Sequence, residues 1–197
     1  MYYALRRSRG QKSAFLLVEY SLDDVPDPMI IDRIDRVPAS FMDSFQLTLL
    51  PGKVEDYLSN DLWYLLSPRV ISVLTTARNA DDLNIVRLSE GFEKLHPEIA
   101  GYCAVGIRRQ LECLDKEASD VRWSKRVPEM ADVVYDAVVV EERIPRECDI
   151  FLFKEWPVVP ILRDNIARRL QAPEVTGLSL QPFRTSTRLS DLSLIHI

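Results

Sequence analysis

The chain has 197 residues, 47% hydrophobic and 28% charged, which is the composition of one ordinary globular domain able to bury about 70% of its unfolded surface without staples. A net charge of −5 argues against nucleic acid as a partner, and no run approaches the ~18 apolar residues of a membrane span. No signal peptide is read ahead of Arg6-Arg7, and three widely spaced cysteines make no disulfide framework; both point to a cytoplasmic protein with reduced, buried thiols.

In chain order, Tyr2 to Leu5 and Ala14 to Tyr20 read as strands around a polar, Gly-containing turn, an opening hairpin. Residues 23 to 38 hold three prolines and five carboxylates and read as a surface excursion. The charge is concentrated here. Residues 19 to 61 carry ten acids against three bases, and the rest of the chain twenty against twenty-two. An acidic face would attract a basic partner, although a solvated loop region would have the same composition. Phe45, Leu47, Leu49 and Leu50 then predict a strand stopped by Pro51-Gly52.

Ser67-Pro68 is the clearest helix start: a hydroxyl at the N-cap, then proline where its missing N–H costs nothing. Leu66, Val70, Val73, Leu74 and Ala77 follow on one face, and Asn84 to Leu88 reads as the next strand. The same order returns late in the chain. Val159-Pro160 opens a segment with Leu162, Ile166 and Leu170 four apart, Pro173 ends it, and residues 177 to 181 form a strand.

Between these units lies Gly101 to Trp123, around which the chain is organised. It starts as a strand through Tyr102, Cys103, Val105 and Ile107, then reaches the acidic turn Asp115-Lys116-Glu117 and Ser119. Residues 123 to 132 read as an exposed connector. Val133 to Val140 is the most β-prone run, joined in an expected hairpin to Ile150-Phe151-Leu152-Phe153. The expected fold is α+β, with a mainly antiparallel sheet and two principal helices, each followed by a strand, in a single domain over residues 1–190 whose first 56 residues are looser. Leu192 to Ile197 matches one reading frame of a common sequencing adapter and is read as a non-native tail.

No residue set spells out a reaction. His96 stands alone, and Cys103, Cys113 and Cys148 lack metal-ligand spacing. No GxSxG, GxGxxG or P-loop occurs, so no catalytic, metal or cofactor residue is assigned. Asp115, Glu117 and Asp120 are carboxylates in a turn, suited to acid/base work or simply to solvated charge and capping. Trp63-Tyr64, beside Asp56, Asn60 and Asp61, has the chemistry of an interface anchor; Trp63 packing into the core is the alternative.

Several stretches carry a family resemblance in their order: Ser67-Pro68-Arg69-Val70, Ile85-Val86-Arg87-Leu88, Gly101-Tyr102 through Leu114-Asp115 to Ser119, Ile150 to Phe153, and Gly177 to Pro182. Together they span roughly residues 57 to 183. The order resembles the eleventh immunity-protein family of bacterial polymorphic toxin systems. That family has a Ser-initiated helix, a tyrosine-bearing strand running into an LDxxxS turn, a hairpin, a second helix and a GxxFxP strand. Gly106 and Ile107 stand where the family carries an asparagine, and Val159-Pro160 replaces its second helix-starting serine. The resemblance implies a non-enzymatic cytoplasmic protein that binds a cognate toxin domain encoded nearby, with no cofactor. Tyr102, Asp115 and Ser119 are its signature positions.

The leading reading is therefore an immunity protein that neutralises its toxin by occlusion. Charge asymmetry selects Asp23, Asp24, Asp27, Asp56, Asp61, Trp63 and Tyr64 as the contact face. The alternative is an enzyme or small-ligand-binding protein with a dispersed site built from residues such as Asp115, Arg108 and His96. A scaffold that dimerises through an edge strand is a third possibility.

Overall fold

The computed structural model describes residues 1–8, 13–19, 42, 45–58 and 63–186. The first half of the chain supplies β1 (Tyr2–Arg7), β2 (Phe15–Glu19), β3 (Gln46–Leu50), β4 (Tyr57–Leu58), β5 (Tyr64–Leu66), α1 (Pro68–Leu74), β6 (Leu83–Arg87) and α2 (Glu90–Leu95). The second half supplies β7 (Cys103–Ile107), β8 (Gln110–Leu111), β9 (Asp120–Trp123), β10 (Ala131–Asp136), β11 (Val138–Val140), β12 (Ile150–Phe153), β13 (Ile161–Arg163), α3 (Asp164–Leu170), β14 (Leu178–Pro182) and β15 (Arg184–Ser186). The fold is α+β, with mostly antiparallel pairing. α1 and α3 are each followed by a strand, as the sequence predicts.

Two sheets share one apolar cluster. The first is four-stranded in the order β4-β5-β7-β6, the second five-stranded in the order β14-β1-β13-β12-β8. Successive side chains on a strand point to opposite faces, so each sheet divides its apolar residues between two clusters. Leu66, Val105 and Ile107 of the first sheet meet Leu5, Ile150, Leu152 and Leu162 of the second in the shared cluster. Alternate residues go the other way. Leu65, Ala104 and Val86 pack with Leu16, Phe45, Trp63 and Phe92. Tyr2, Ala4, Phe151, Phe153 and Ile161 pack with Val139, Ile144 and Phe183. Because β12 is covered on both faces, it reads as an unbroken apolar run rather than an alternation.

Both longer helices bury one stripe in the shared cluster, Val70, Val73 and Leu74 from α1 and Ile166, Ala167 and Leu170 from α3. α1 starts where the sequence places it. The Ser67 hydroxyl accepts from the Val70 N–H at 3.4 Å, and Pro68 holds the first turn. Gly177 opens β14 at φ +76°, and a Cβ there would lie 2.4 Å from the Glu55 Cβ, so both conformation and space require glycine.

The structure differs from the expectations in five places. β1 does not form a hairpin with β2. It lies between β13 and β14, while β2 pairs with β3 from Phe15↔Leu50 to Glu19↔Gln46. The second helix does not begin after Pro160, because Ile161–Arg163 is a strand and α3 starts at Asp164. Leu162 still reaches the same cluster as Ile166 and Leu170, which is why their spacing imitated a longer helix. The run 133–140 breaks at Ala137. β10 pairs with β9, and β11 runs parallel to β15. No hairpin joins β11 to β12, whose neighbours are β13 and β8. Finally, α2 was not anticipated; Ser89 caps it through the Phe92 N–H at 3.4 Å, and its single buried residue, Phe92, leaves no apolar periodicity to read. Among the described residues no helix is long and apolar enough to cross a membrane. The proposed tail 192–197 and residues 20–41 of the acidic excursion lie outside the described residues.

Candidate functional site

The turn that follows β8 is built by Asp115. This residue is 4% exposed, and its Oδ1 accepts from the backbone N–H groups of Glu117 and Ala118, each at 3.2 Å. Its Oδ2 accepts from the Ser186 hydroxyl at 2.8 Å, tying the turn to β15. Ser119 locks the other end: its N–H donates to the Asp115 carbonyl at 3.0 Å, and its Oγ accepts from the Val138 N–H at 2.9 Å. A carboxylate satisfying two backbone donors is how aspartate stabilises a turn. Both signature residues therefore have a structural task.

Replacing Asp115 with alanine is expected to lower unfolding stability by about 1–3 kcal/mol, because three donors lose their acceptor. Asp115→Asn keeps an acceptor for the backbone donors and is expected to lose less than half of that in urea denaturation. Equal losses in the two variants would instead assign the effect to the negative charge.

Beside this turn is a charged cluster contributed by three separate stretches. Lys116 Nζ lies 3.7 Å from Glu155 Oε1 and 3.8 Å from Glu112 Oε1, and stands over the Trp123 ring at 5.6 Å from its centroid. Lys154 approaches Glu112 from the other side at 3.9 Å. Glu155 itself is 3% exposed, and among the described residues neither of its carboxylate oxygens has a hydrogen-bond partner. It is held there because its carbonyl accepts from the Ala131 N–H at 2.7 Å, joining the end of β12 to the start of β10. Lys116 also lines an open hollow of about 160 Å³ with Leu114, Asp115, Glu117, Val140 and Arg143.

The other residues singled out from the sequence lie elsewhere. Asp23, Asp24, Asp27 and Asp61 are outside the described residues. Asp56 is a buried strut rather than an exposed charge. It accepts from the Ser67 hydroxyl at 2.5 Å and the Thr176 N–H at 2.8 Å, with Arg69 at 3.7 Å. Trp63 is 4% exposed and edge-on to Phe45 at 4.8 Å, so it sits in the core. Tyr64 is half-buried against the shared cluster. Tyr102 is buried, donates to the Glu55 carbonyl at 2.9 Å, and has its phenol pushed up to about 12 by burial. Arg108 donates its backbone N–H to the Asp82 carbonyl at 2.9 Å. His96 lines a second hollow, of about 240 Å³, with Leu49, Pro51 and Val54, while Asp115 lines the first. Of the residues named for a dispersed site, Asp115 and His96 thus line different hollows, and Arg108 lines neither.

The three cysteines are free and buried. Burial pushes the Cys148 thiol up to about 11 and the Cys113 thiol higher still, so neither is a ready thiolate nucleophile. Among the described residues no group of three or more His, Cys, Asp and Glu is placed to hold a metal ion.

The acidic turn at 115–119 was legible in the sequence. Glu155 was not: its segment, Lys154-Glu155-Trp156, looks like any charged turn after a strand. No protein-family model matches the chain, and no curated protein sequence matches it.

Proposed function

We propose that this protein is a cytoplasmic immunity protein that neutralises a bacterial toxin domain by binding and occluding it, without catalysing a reaction. The observation supporting this most directly is the order of the elements that carry the resemblance. Ser67 caps α1, Leu83–Arg87 follows as β6, and Tyr102 leads into β7. The Leu114-to-Ser119 turn, β12 and β14 come next in the same order. Among the described residues, the hollows at the Asp115 turn and beside His96, of about 160 and 240 Å³, are each smaller than the roughly 300–1,000 Å³ of small-molecule sites.

The test is growth rescue. The protein is co-expressed with each candidate toxin domain encoded at its locus, and rescue with a co-purifying complex is the expected result. Soluble expression without rescue by any neighbour overturns the reading in favour of a ligand-binding or enzymatic protein. The acidic segment is expected to steer the encounter. Reversing Asp23, Asp24 and Asp27 to lysine should slow association with the rescued toxin by about tenfold at low salt, with a smaller effect at high salt. An unchanged association rate places the contact face elsewhere.

A further inference from the structure

The cluster beside the Asp115 turn contains a buried acid to which the described protein offers no hydrogen bond. A carboxylate taken out of water without partners is costly, and native structures nearly always compensate it. Here the compensation is loose. The Lys116 ammonium is 3.7 Å from Glu155 and 3.8 Å from Glu112, both longer than a hydrogen bond, and its side chain is 47% exposed. It stands in a site walled by two carboxylates and an indole face, which is the chemistry of cation recognition.

We infer that Glu155, Glu112 and Trp123 form a receptor for an arginine side chain of a bound protein, with Lys116 occupying it as a displaceable internal substitute. An ammonium is a compact point donor, and at these distances it satisfies neither carboxylate. A guanidinium is a planar fork that donates two parallel hydrogen bonds to one carboxylate and stacks on an indole. The exchange leaves nothing stranded. Lys116 lines the open hollow and swings into water, and Glu112, at 56% exposure, keeps Lys154 at 3.9 Å. The chain's net charge of −5 draws basic partners toward it. That the occupant belongs to a toxin rests on the function proposed above; the receptor itself is tested without any toxin.

The test is a nuclear magnetic resonance titration of the full-length protein with acetyl-arginine-amide, following the Trp123 indole N–H and the Glu155 amide, with acetyl-lysine-amide as comparator. Removing the internal competitor in Lys116→Met is expected to tighten binding of the arginine probe by at least about tenfold over wild type, in preference to the lysine probe. Glu155→Gln should abolish the response in either background, and Trp123→Leu should weaken it. Should Lys116→Met fail to fold, the comparison of wild type with Glu155→Gln decides alone. Equal shifts in wild type and Glu155→Gln, or equal affinity for the two probes, overturn the receptor. Growth rescue without probe binding refutes the receptor and leaves the neutralising function standing. Probe binding without rescue supports the receptor and removes the toxin as its partner.

Discussion

Asp149→Ala is expected to lower the stability of this protein by about 3–5 kcal/mol, because three Arg78 donors and the Arg163 guanidinium lose the buried acid on which they converge. Asp149 is fully buried at the start of β12. Its Oδ2 accepts from the Arg78 backbone N–H and from Arg78 Nε, each at 3.0 Å, and its Oδ1 accepts from Arg78 Nη2 at 2.5 Å. Arg163 Nε of β13 lies 3.4 Å from the same Oδ1. Asn79 completes the join: its Oδ1 accepts from the Asp149 and Ile150 N–H groups at 2.8 and 3.1 Å, and its Nδ2 donates to the Ile150 carbonyl at 2.7 Å. The network fastens the segment after α1, which leads into the four-stranded sheet, to β12, an inner strand of the other sheet. Thermal denaturation is the direct check, with a fall in Tm on the order of 10 °C for a chain of this length. A midpoint within 2 °C of wild type, by this ~2–4 °C per kcal/mol scale, would show that the network does not hold the sheets together.

The same residue makes a pH prediction. Burial alone raises the Asp149 carboxyl, but hydrogen bonds from the Arg78 side chain and backbone outweigh it and hold the group below its usual range. A carboxylate with a depressed folded value stabilises the protein above its unfolded value, near pH 4, and that contribution is lost as pH falls through the folded value. The stability gap between wild type and Asp149→Asn is therefore expected to be full near neutral pH and to narrow below about pH 4. A gap independent of pH would mean that geometry, not charge, is what the carboxylate supplies.

Phe151→Ala should cost a comparable amount, about 3–5 kcal/mol, through lost transfer energy and the cavity left behind. Phe151 is fully buried in β12 and meets Tyr2 edge-on at 6.1 Å and Phe153 at 6.4 Å. Phe153 in turn contacts Phe183 at 5.6 Å, so the substitution empties the middle of an aromatic stack. Phe151→Leu keeps most of the volume and should cost about 1.5 kcal/mol or less. Urea midpoints of the two variants separate cavity from chemistry. Neither variant is expected to change affinity for the proposed toxin partner at a temperature where it remains folded, since Phe151 has no exposed surface. A loss of affinity in the folded Leu variant would bring the interface close to this layer.

Local chemistry was readable from the residues. The Ser67-Pro68 start of α1, the strand at Cys103–Ile107, the Asp115-to-Ser119 turn and the α+β class follow from periods of 3.6 and 2 and from caps and turn residues, all set within a few positions. Which strands pair was not readable. The neighbours of β1 lie some 160 residues along the chain, and no local preference distinguishes that pairing from a hairpin with β2. The break at Ala137 has no turn residue to announce it, because β10 and β11 part only when each finds a different partner. The two sites of greatest consequence have the same origin. Asp149 and Glu155 are ordinary acids in the sequence, and so are Asp56 and Asp115. Burial separates them from solvated charge. That burial, with Asp149 fully paired and Glu155 left without a hydrogen bond among the described residues, is decided only when β12 packs between β13 and the more distant β8.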